Sequence, residues 1–357
     1  NHEYPLDERR RDETVINKLG DRLLVSTYDQ QLVLAPGKVL SKQNTPFKIF
    51  TAFKNAWLNE AHKQRAWHTC TDIEKPFKSD LNPDLIPKKI DGFTDKKIAS
   101  HWAPGENAAQ KKLNLFCQKN IHDYQKSRNI PNINGTSQLS PYLDQGVISP
   151  RQCITAALKA CDIHDIVGVH HHEGAATWIS EFIWRDFYSQ ILAHFPHVEK
   201  ASFRAKYDVI KWRNNEQEFE AWCKGKTGYP IVDAGMRELN HTGFMHNRVR
   251  MVVASFLIKH LLIHWSWGEA YFAEKLLDYD LSANNGNWQW AAGTGCDAAP
   301  YFRVFNPITQ FKKFDKDFKY VRKWVPEFEG FNYPKPMVDH KMARERVLEA
   351  YKTGLNT

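Results

Sequence analysis

The sequence predicts a mainly α-helical protein, preceded by a linker and by the remnant of an α/β, Rossmann-like domain. Three observations carry this reading. Beyond Asn107, apolar residues recur at helical spacing, and the region holds no alternating β run and no internal repeat. Helix punctuation is explicit: Ser149 before Pro150, Tyr229 before Pro230, and Gly243 behind His241 and Thr242. Before residue 40, a charged helix and two short apolar stretches form a piece too small to bury a core by itself.

In chain order, residues 6–19 read as the charged helix, and residues 23–25 and 32–34 as two short strands. This helix–strand–strand piece reads as the end of an α/β domain, and the opening Asn1, where a natural start has Met, suits a longer parent chain. Residues 36–105, rich in Pro, Lys and Asp, form a connecting segment with one helix at 46–62. The predicted division is 1–40 for the remnant, 41–104 for the linker and 105–357 for a helical domain. Further helices are expected at 150–159, 175–194, 230–242, 247–262 and 267–277. A Gly- and Asn-rich loop is expected over 282–295.

A net charge of +8 fits a polyanionic partner, whether nucleic acid or acidic lipid, and equally fits simple solubility. Twelve Trp are unusual; most belong to the core, but exposed indoles stack on bases. The six Cys, at 70, 117, 153, 161, 223 and 296, lack metal or disulfide spacing, which suits free thiols in a reducing compartment. His170, His171, His172 and Glu173 look like metal ligands, but neighbouring side chains diverge, so a solvated loop is favoured and no metal is expected. The longest apolar run, 251–263, is broken by Lys259 and His260 and reads as a buried helix, not a membrane span.

Four constellations could carry chemistry. On a helix, Trp178, Glu181 and Arg185 fall at i, i+3 and i+7 with Trp184 close by; the pattern alone equally describes a core indole with an ordinary ion pair. Asn247, Arg250 and Met251 share a face before an apolar run, so an inward Arg250 needs an acid, and Asp278 and Asp280 are the candidates. From Asp278 to Gly295, small and polar residues surround Trp288 and Trp290, suiting a wall that approaches a flat ligand closely. Thr136, Ser137, Gln138, Leu139 and Ser140 form a turn whose hydroxyls and amides can bind phosphate, although a plain capping turn looks the same.

In this order, together with Lys54 and Trp57, Gly225 to Pro230, and Arg303 to Pro307, these segments resemble the photolyase/cryptochrome family, and within it the microbial cyclobutane dimer photolyases. The resemblance implies an α-helical FAD-binding domain behind an antenna domain whose pigment is a folate or a deazaflavin; Lys200 is similar to a position that touches folate. It implies that Tyr124 and the 136–140 turn hold the FAD phosphates, with Gln138 standing where close relatives often have Arg. Trp178, Arg185, Asn247, Arg250, Asp278 and Asp280 then line the flavin, and Asn284 faces its N5. Trp184 and Trp290 flank a flipped dimer over Met251, and Glu181 hydrogen-bonds a pyrimidine carbonyl. Trp288, Trp265 and Trp212 form an electron-hopping chain, while Lys54, Arg128, Arg248 and Arg303 contact DNA phosphates.

The activity so implied is light-driven repair of cyclobutane pyrimidine dimers. The lesion is extruded, excited reduced FAD lends it an electron, two C–C bonds break and the electron returns. A cytoplasmic bacterial monomer without an obligate protein partner or membrane association is expected. Among rivals, cryptochromes commonly have Asp or Cys where Asn284 stands, and (6-4) photolyases have His where Asn247 and Met251 stand. A basic helical DNA-binding protein without a cofactor is the blander alternative.

Overall fold

A computed structural model describes residues 2–69, 85, 87, 98 and 100–356, so Cys70 and much of the expected linker lie outside the described residues. The architecture is helical: α1 (Leu6–Leu19), α2 (Phe50–Gln64), α3 (Glu106–Lys119), α4 (Tyr124–Ser127), α5 (Ser140–Asp144), α6 (Pro150–Ala160) and α7 (Glu173–His194). It continues with α8 (Glu216–Cys223), α9 (Pro230–Thr242), α10 (Asn247–Ser255), a π-helical turn (Phe256–His260), α11 (Trp265–Lys275) and α12 (Leu281–Ala292). Last come α13 (Pro307–Phe314), α14 (Lys319–Trp324) and α15 (His340–Leu355).

The caps explain several boundaries. Ser149 and Gln152 form a reciprocal capping box ahead of α6, with Pro150 in its first turn. Gly243 closes α9 in the left-handed conformation at φ 68°. α7 is the central strut, buried along most of its length, and it packs against α2, α4, α6 and α12. Two apolar clusters result. One gathers α2, α3, α4, α6 and α7 around Phe53, Trp57 and Phe116. The other gathers α9 to α12 around Trp222, Phe256 and Trp288.

Two sequence expectations are corrected. Residues 23–25 and 32–34 are not strands, and no named strand occurs among the described residues; the lone ladder contact is a bridge between Leu40 and Pro46. Leu32, Val33 and Leu34 are buried, but the amides of Val33 and Leu34 donate to the carboxylate of Asp186 at 3.2 and 2.9 Å instead of to a neighbouring strand. The indole of Trp57 donates to the same carboxylate at 2.7 Å, so one buried acid on α7 fastens the incoming chain. The expected loop at 282–295 is helix α12 up to Ala292.

α12 forms in spite of its poor helix formers. Asp280 caps it by accepting from the amide of Ala283 at 2.8 Å, and Asn287 donates to the carbonyl of Ala283 at 2.8 Å. A Cβ on Gly286 would stand 2.2 Å from the Tyr188 ring, so glycine is what lets α12 lie against α7. Gly293 ends the helix at φ 85°.

Five cysteines are free thiols. His170 and His171 lie in a 3-10 turn with their rings in tilted contact, and no group of three His, Cys, Asp or Glu suited to a metal occurs among the described residues. No helix of the described residues is long and apolar enough to cross a membrane.

Candidate active site: a cavity between the two clusters

Between the two apolar clusters lies a cavity of about 460 Å³, within the range of small-molecule and cofactor sites. α7 supplies one wall through Trp178, Glu181, Trp184 and Arg185, and α12 supplies another through Asn284, Trp288 and Trp290. α10 contributes Asn247, Arg250 and Met251; Asp278 and Asp280 come from the segment before α12; Tyr124, Arg128 and the 136–140 turn complete the lining. The helical spacing on α7 and α10 thus brings its named residues to one place.

Charges inside the cavity are paired. Arg250 Nη2 sits 2.8 Å from Asp278 and also donates through Nε to the carbonyl of Met245 at 2.7 Å. Arg185 pairs with Asp280 at 3.1 Å, and Arg128 with Glu181 at 2.6 Å. Burial pushes the Glu181 carboxyl above the usual carboxylate range, against the pull of Arg128 and Lys54. Burial and three neighbouring arginines push His246 down to about 4, which keeps it neutral beside Arg250.

The residues fit a flavin. Asn284 donates through Nδ2 to the Glu269 carbonyl at 3.1 Å and to its carboxylate at 2.9 Å. That leaves Oδ1, on a cavity-lining residue, free to accept from a ring N–H. Apolar wall comes from Trp178, Phe182, Phe272 and Trp288, suited to a flat ring system. The 136–140 turn adds hydroxyls and amides to the lining, with Gln138 held at φ 51°.

Trp184 and Trp290, both half-buried, border this same cavity, as does Met251. The Trp184 ring is stacked on Phe50, with centroids 3.5 Å apart and planes 4° from parallel, and its other neighbours are Phe187 and Tyr188. Of the expected electron chain, Trp288 lines the cavity and rests against Phe272 and Trp222. Trp265 and Trp212 lie off the cavity, each with its ring 5.3 Å from that of His264, which stands between them.

The expected phosphate contacts are placed differently from one another. Arg303 is exposed. Arg248 donates to Asn129 at 2.7 Å and covers the Phe314 ring. Lys54 is half-buried and donates to Ser180 at 3.1 Å, while Arg128 is engaged by Glu181. Lys200, at the end of a 3-10 turn, is exposed and outside the cavity. Sequence reasoning missed Phe50, Tyr188, Glu269 and Lys112. Tyr188 follows Trp184 at i+4 and could have been found; nothing in the sequence singles out the other three.

A helical domain closed around one deep cavity, with neutralised charges inside and indoles at its border, defines a binder of a large, flat, charged cofactor. The comparisons with known proteins narrow this. The family model for the FAD binding domain of DNA photolyase matches residues 178–332, and the DNA photolyase model matches residues 1–75. A deoxyribodipyrimidine photo-lyase of Vibrio cholerae is 40% identical over 99% of this chain and 78% of its own length. A bacterial class III photolyase from Agrobacterium tumefaciens is structurally similar with a TM-score of 0.84 and 36% identity, covering 100% of this chain and 79% of that one. A Synechocystis cryptochrome shares the fold at a TM-score of 0.79 and 26% identity, over 98% of this chain and 78% of its own. This chain belongs to the DNA photolyase family.

Proposed function

We infer that this protein repairs cyclobutane pyrimidine dimers in DNA, driven by light, with FAD as its cofactor. The family membership supports the activity, and one observation carries the reading of the site. The residues suited to a flavin (Asn284, the Arg250–Asp278 pair and the Arg185–Asp280 pair) and the residues suited to an extruded lesion (Trp184, Trp290, Met251 and Glu181) line a single cavity. Reduced FAD, when bound and excited, supplies the electron that opens the dimer and recovers it afterwards, with no net redox change.

The chain's own residues bind, orient and exclude water. Thr136, Ser137, Gln138, Leu139, Ser140 and Tyr124 seat the diphosphate. Asn284 would hold the flavin ring by accepting a hydrogen bond at its N5 edge, and Trp178 and Asn247 would help to orient it. Extrusion of the lesion costs a few kcal/mol, and stacking on Trp184 and Trp290, at roughly 1–3 kcal/mol per base, offsets it. Glu181, whose carboxyl burial pushes above the usual carboxylate range, hydrogen-bonds the pyrimidine carbonyl on which charge develops. Trp288, which lines the cavity, and Trp265 and Trp212 behind it would relay electrons toward a bound flavin. Lys54, Arg128, Arg248 and Arg303 meet backbone phosphates around the mouth.

The reading extends to a cytoplasmic monomer without an obligate protein partner, and to residues 105–357 as the catalytic unit behind a linker (41–104) and an antenna-domain segment (1–40). The reading includes a folate or deazaflavin as a second, light-harvesting pigment. The test is an oligonucleotide holding one cyclobutane dimer, incubated with the flavin-loaded protein in light and in darkness. Repair in light alone is expected. No repair in either condition leaves the cryptochrome-type reading, a light sensor on the same fold.

A further inference from the structure

The three arginines that line the cavity are each held by a carboxylate, Arg128 by Glu181, Arg185 by Asp280 and Arg250 by Asp278. A dianionic diphosphate at the 136–140 turn therefore finds no uncommitted arginine in the wall, and burying it without a cation is costly. One cation stands behind that turn. Lys112 rises from α3, and its Nζ donates to Oε1 of Gln138 at 3.2 Å while lying 5.3 Å above the Trp102 ring. No carboxylate forms an ion pair with Lys112 among the described residues. Burial holds its ammonium below the usual lysine range, and no acidic neighbour offsets that cost.

Gln138 is the link to the cavity. It lines the wall and is held at φ 51°, a backbone conformation unusual for glutamine. Its Oε1 accepts from the ammonium, and nothing among the described residues accepts from its amide Nε2. A lining amide with a donor to spare and a positive charge behind it suits an anionic oxygen.

We propose that Lys112, acting through Gln138, supplies the positive charge that the FAD diphosphate meets at the 136–140 turn. This rests on the reading of that turn as the phosphate seat. Lys112 is a positioning residue: it fixes the glutamine amide and sets the local potential, while Gln138 makes the contact. The dinucleotide form of the flavin is thereby selected by a charge lying one side chain behind the cavity wall.

The experiment follows FAD release from the holoprotein by the fluorescence of free flavin on dilution, across a series of salt concentrations. Lys112→Gln is expected to raise the FAD dissociation constant by roughly tenfold or more and to flatten its dependence on salt. Lys112→Arg should retain most of the affinity. In the Lys112→Gln background, Gln138→Arg should restore it by moving the cation into the turn. Wild-type affinity and salt dependence in Lys112→Gln would overturn the proposal. So would weakened binding with an unchanged salt slope and no rescue by either arginine, which is the signature of a merely structural lysine. A Thr136→Ala, Ser137→Ala, Ser140→Ala variant separates the two levels. If it loses FAD while Lys112→Gln does not, the turn is the seat and the role of Lys112 is wrong; if neither loses FAD, the turn reading falls as well.

Discussion

Asn284 is held by Glu269 through two contacts to one amide nitrogen, the backbone carbonyl at 3.1 Å and the carboxylate at 2.9 Å. The two residues sit on neighbouring helices, α12 and α11, which pack against each other, so the orientation of the cavity's amide is set from the layer behind it. Such indirect support governs how well a polar group is pre-organised.

From this follows an expected difference between two substitutions at Glu269. Glutamine retains a side-chain acceptor for Nδ2; alanine leaves only the carbonyl. The lost hydrogen bond contributes about 1 kcal/mol. Glu269→Ala should therefore speed dark re-oxidation of the reduced flavin in air by roughly fivefold, with Glu269→Gln near wild type. Equal rates in all three proteins would mean that the amide needs no support from α11.

Glu181 stands between burial, which favours its protonated form, and Arg128, which favours its anion, and burial dominates. A carboxyl whose value is raised gains its proton as pH falls through that value. If the protonated form donates to the lesion, repair yield in the wild type declines as pH rises through it. Glu181→Gln should keep much of the yield and lose the pH dependence, whereas Glu181→Ala should lose more. Repair assays across pH check this, and equal losses in the two variants would exclude the hydrogen-bonding role.

The reach of the sequence is instructive at α12. Its interior of Asn and Gly reads as a loop. The helix is held by the Asp280 cap and by the fit of Gly286 against Tyr188, and the second is a tertiary contact that no local window contains. The strand expectation at 32–34 failed for a similar reason, because the partner of those amides is Asp186, some 150 residues away. By contrast, α7 and α10 announced their cavity faces through spacing, and the cost of an unpaired buried Arg250 pointed to an acid that lies 28 residues downstream. Lys112 and Glu269 were silent, since a single charged residue on a helix is ordinarily a solvated one.

Trp184 and Trp290 act on the lesion, and Arg303 on the backbone, so their substitutions should separate in binding experiments. Trp184→Ala and Trp290→Ala are each expected to weaken binding of dimer-containing DNA by roughly 1–3 kcal/mol while leaving undamaged DNA nearly unchanged. Arg303→Ala should weaken both and lower the salt slope by about 1. Titrations with damaged and intact duplexes at several salt concentrations give the comparison. A uniform loss with the indole variants would take them out of lesion recognition.

Lys259 offers a test of how the helical core tolerates charge. Its side chain is buried in the π-helical turn, donating to the carbonyl of Ala292 at 2.8 Å beneath the Tyr351 ring. It has no carboxylate partner among the described residues, and burial pushes its ammonium down to about 7 from an ordinary 10.5. Between those values the unfolded chain holds a proton that the folded protein has released, so this residue makes stability rise with pH across that window. Below it both states are protonated, and the fold bears the full cost of the buried charge. Lys259→Met should therefore stabilise the protein at pH 7 and below, on the order of 1–3 kcal/mol, because the Tyr351 hydroxyl still satisfies the Ala292 carbonyl at 2.7 Å. The advantage should shrink as pH rises toward the ordinary lysine value. Urea unfolding of both proteins at several pH values measures it, and a difference that does not change with pH would show that Lys259 keeps its proton in the fold.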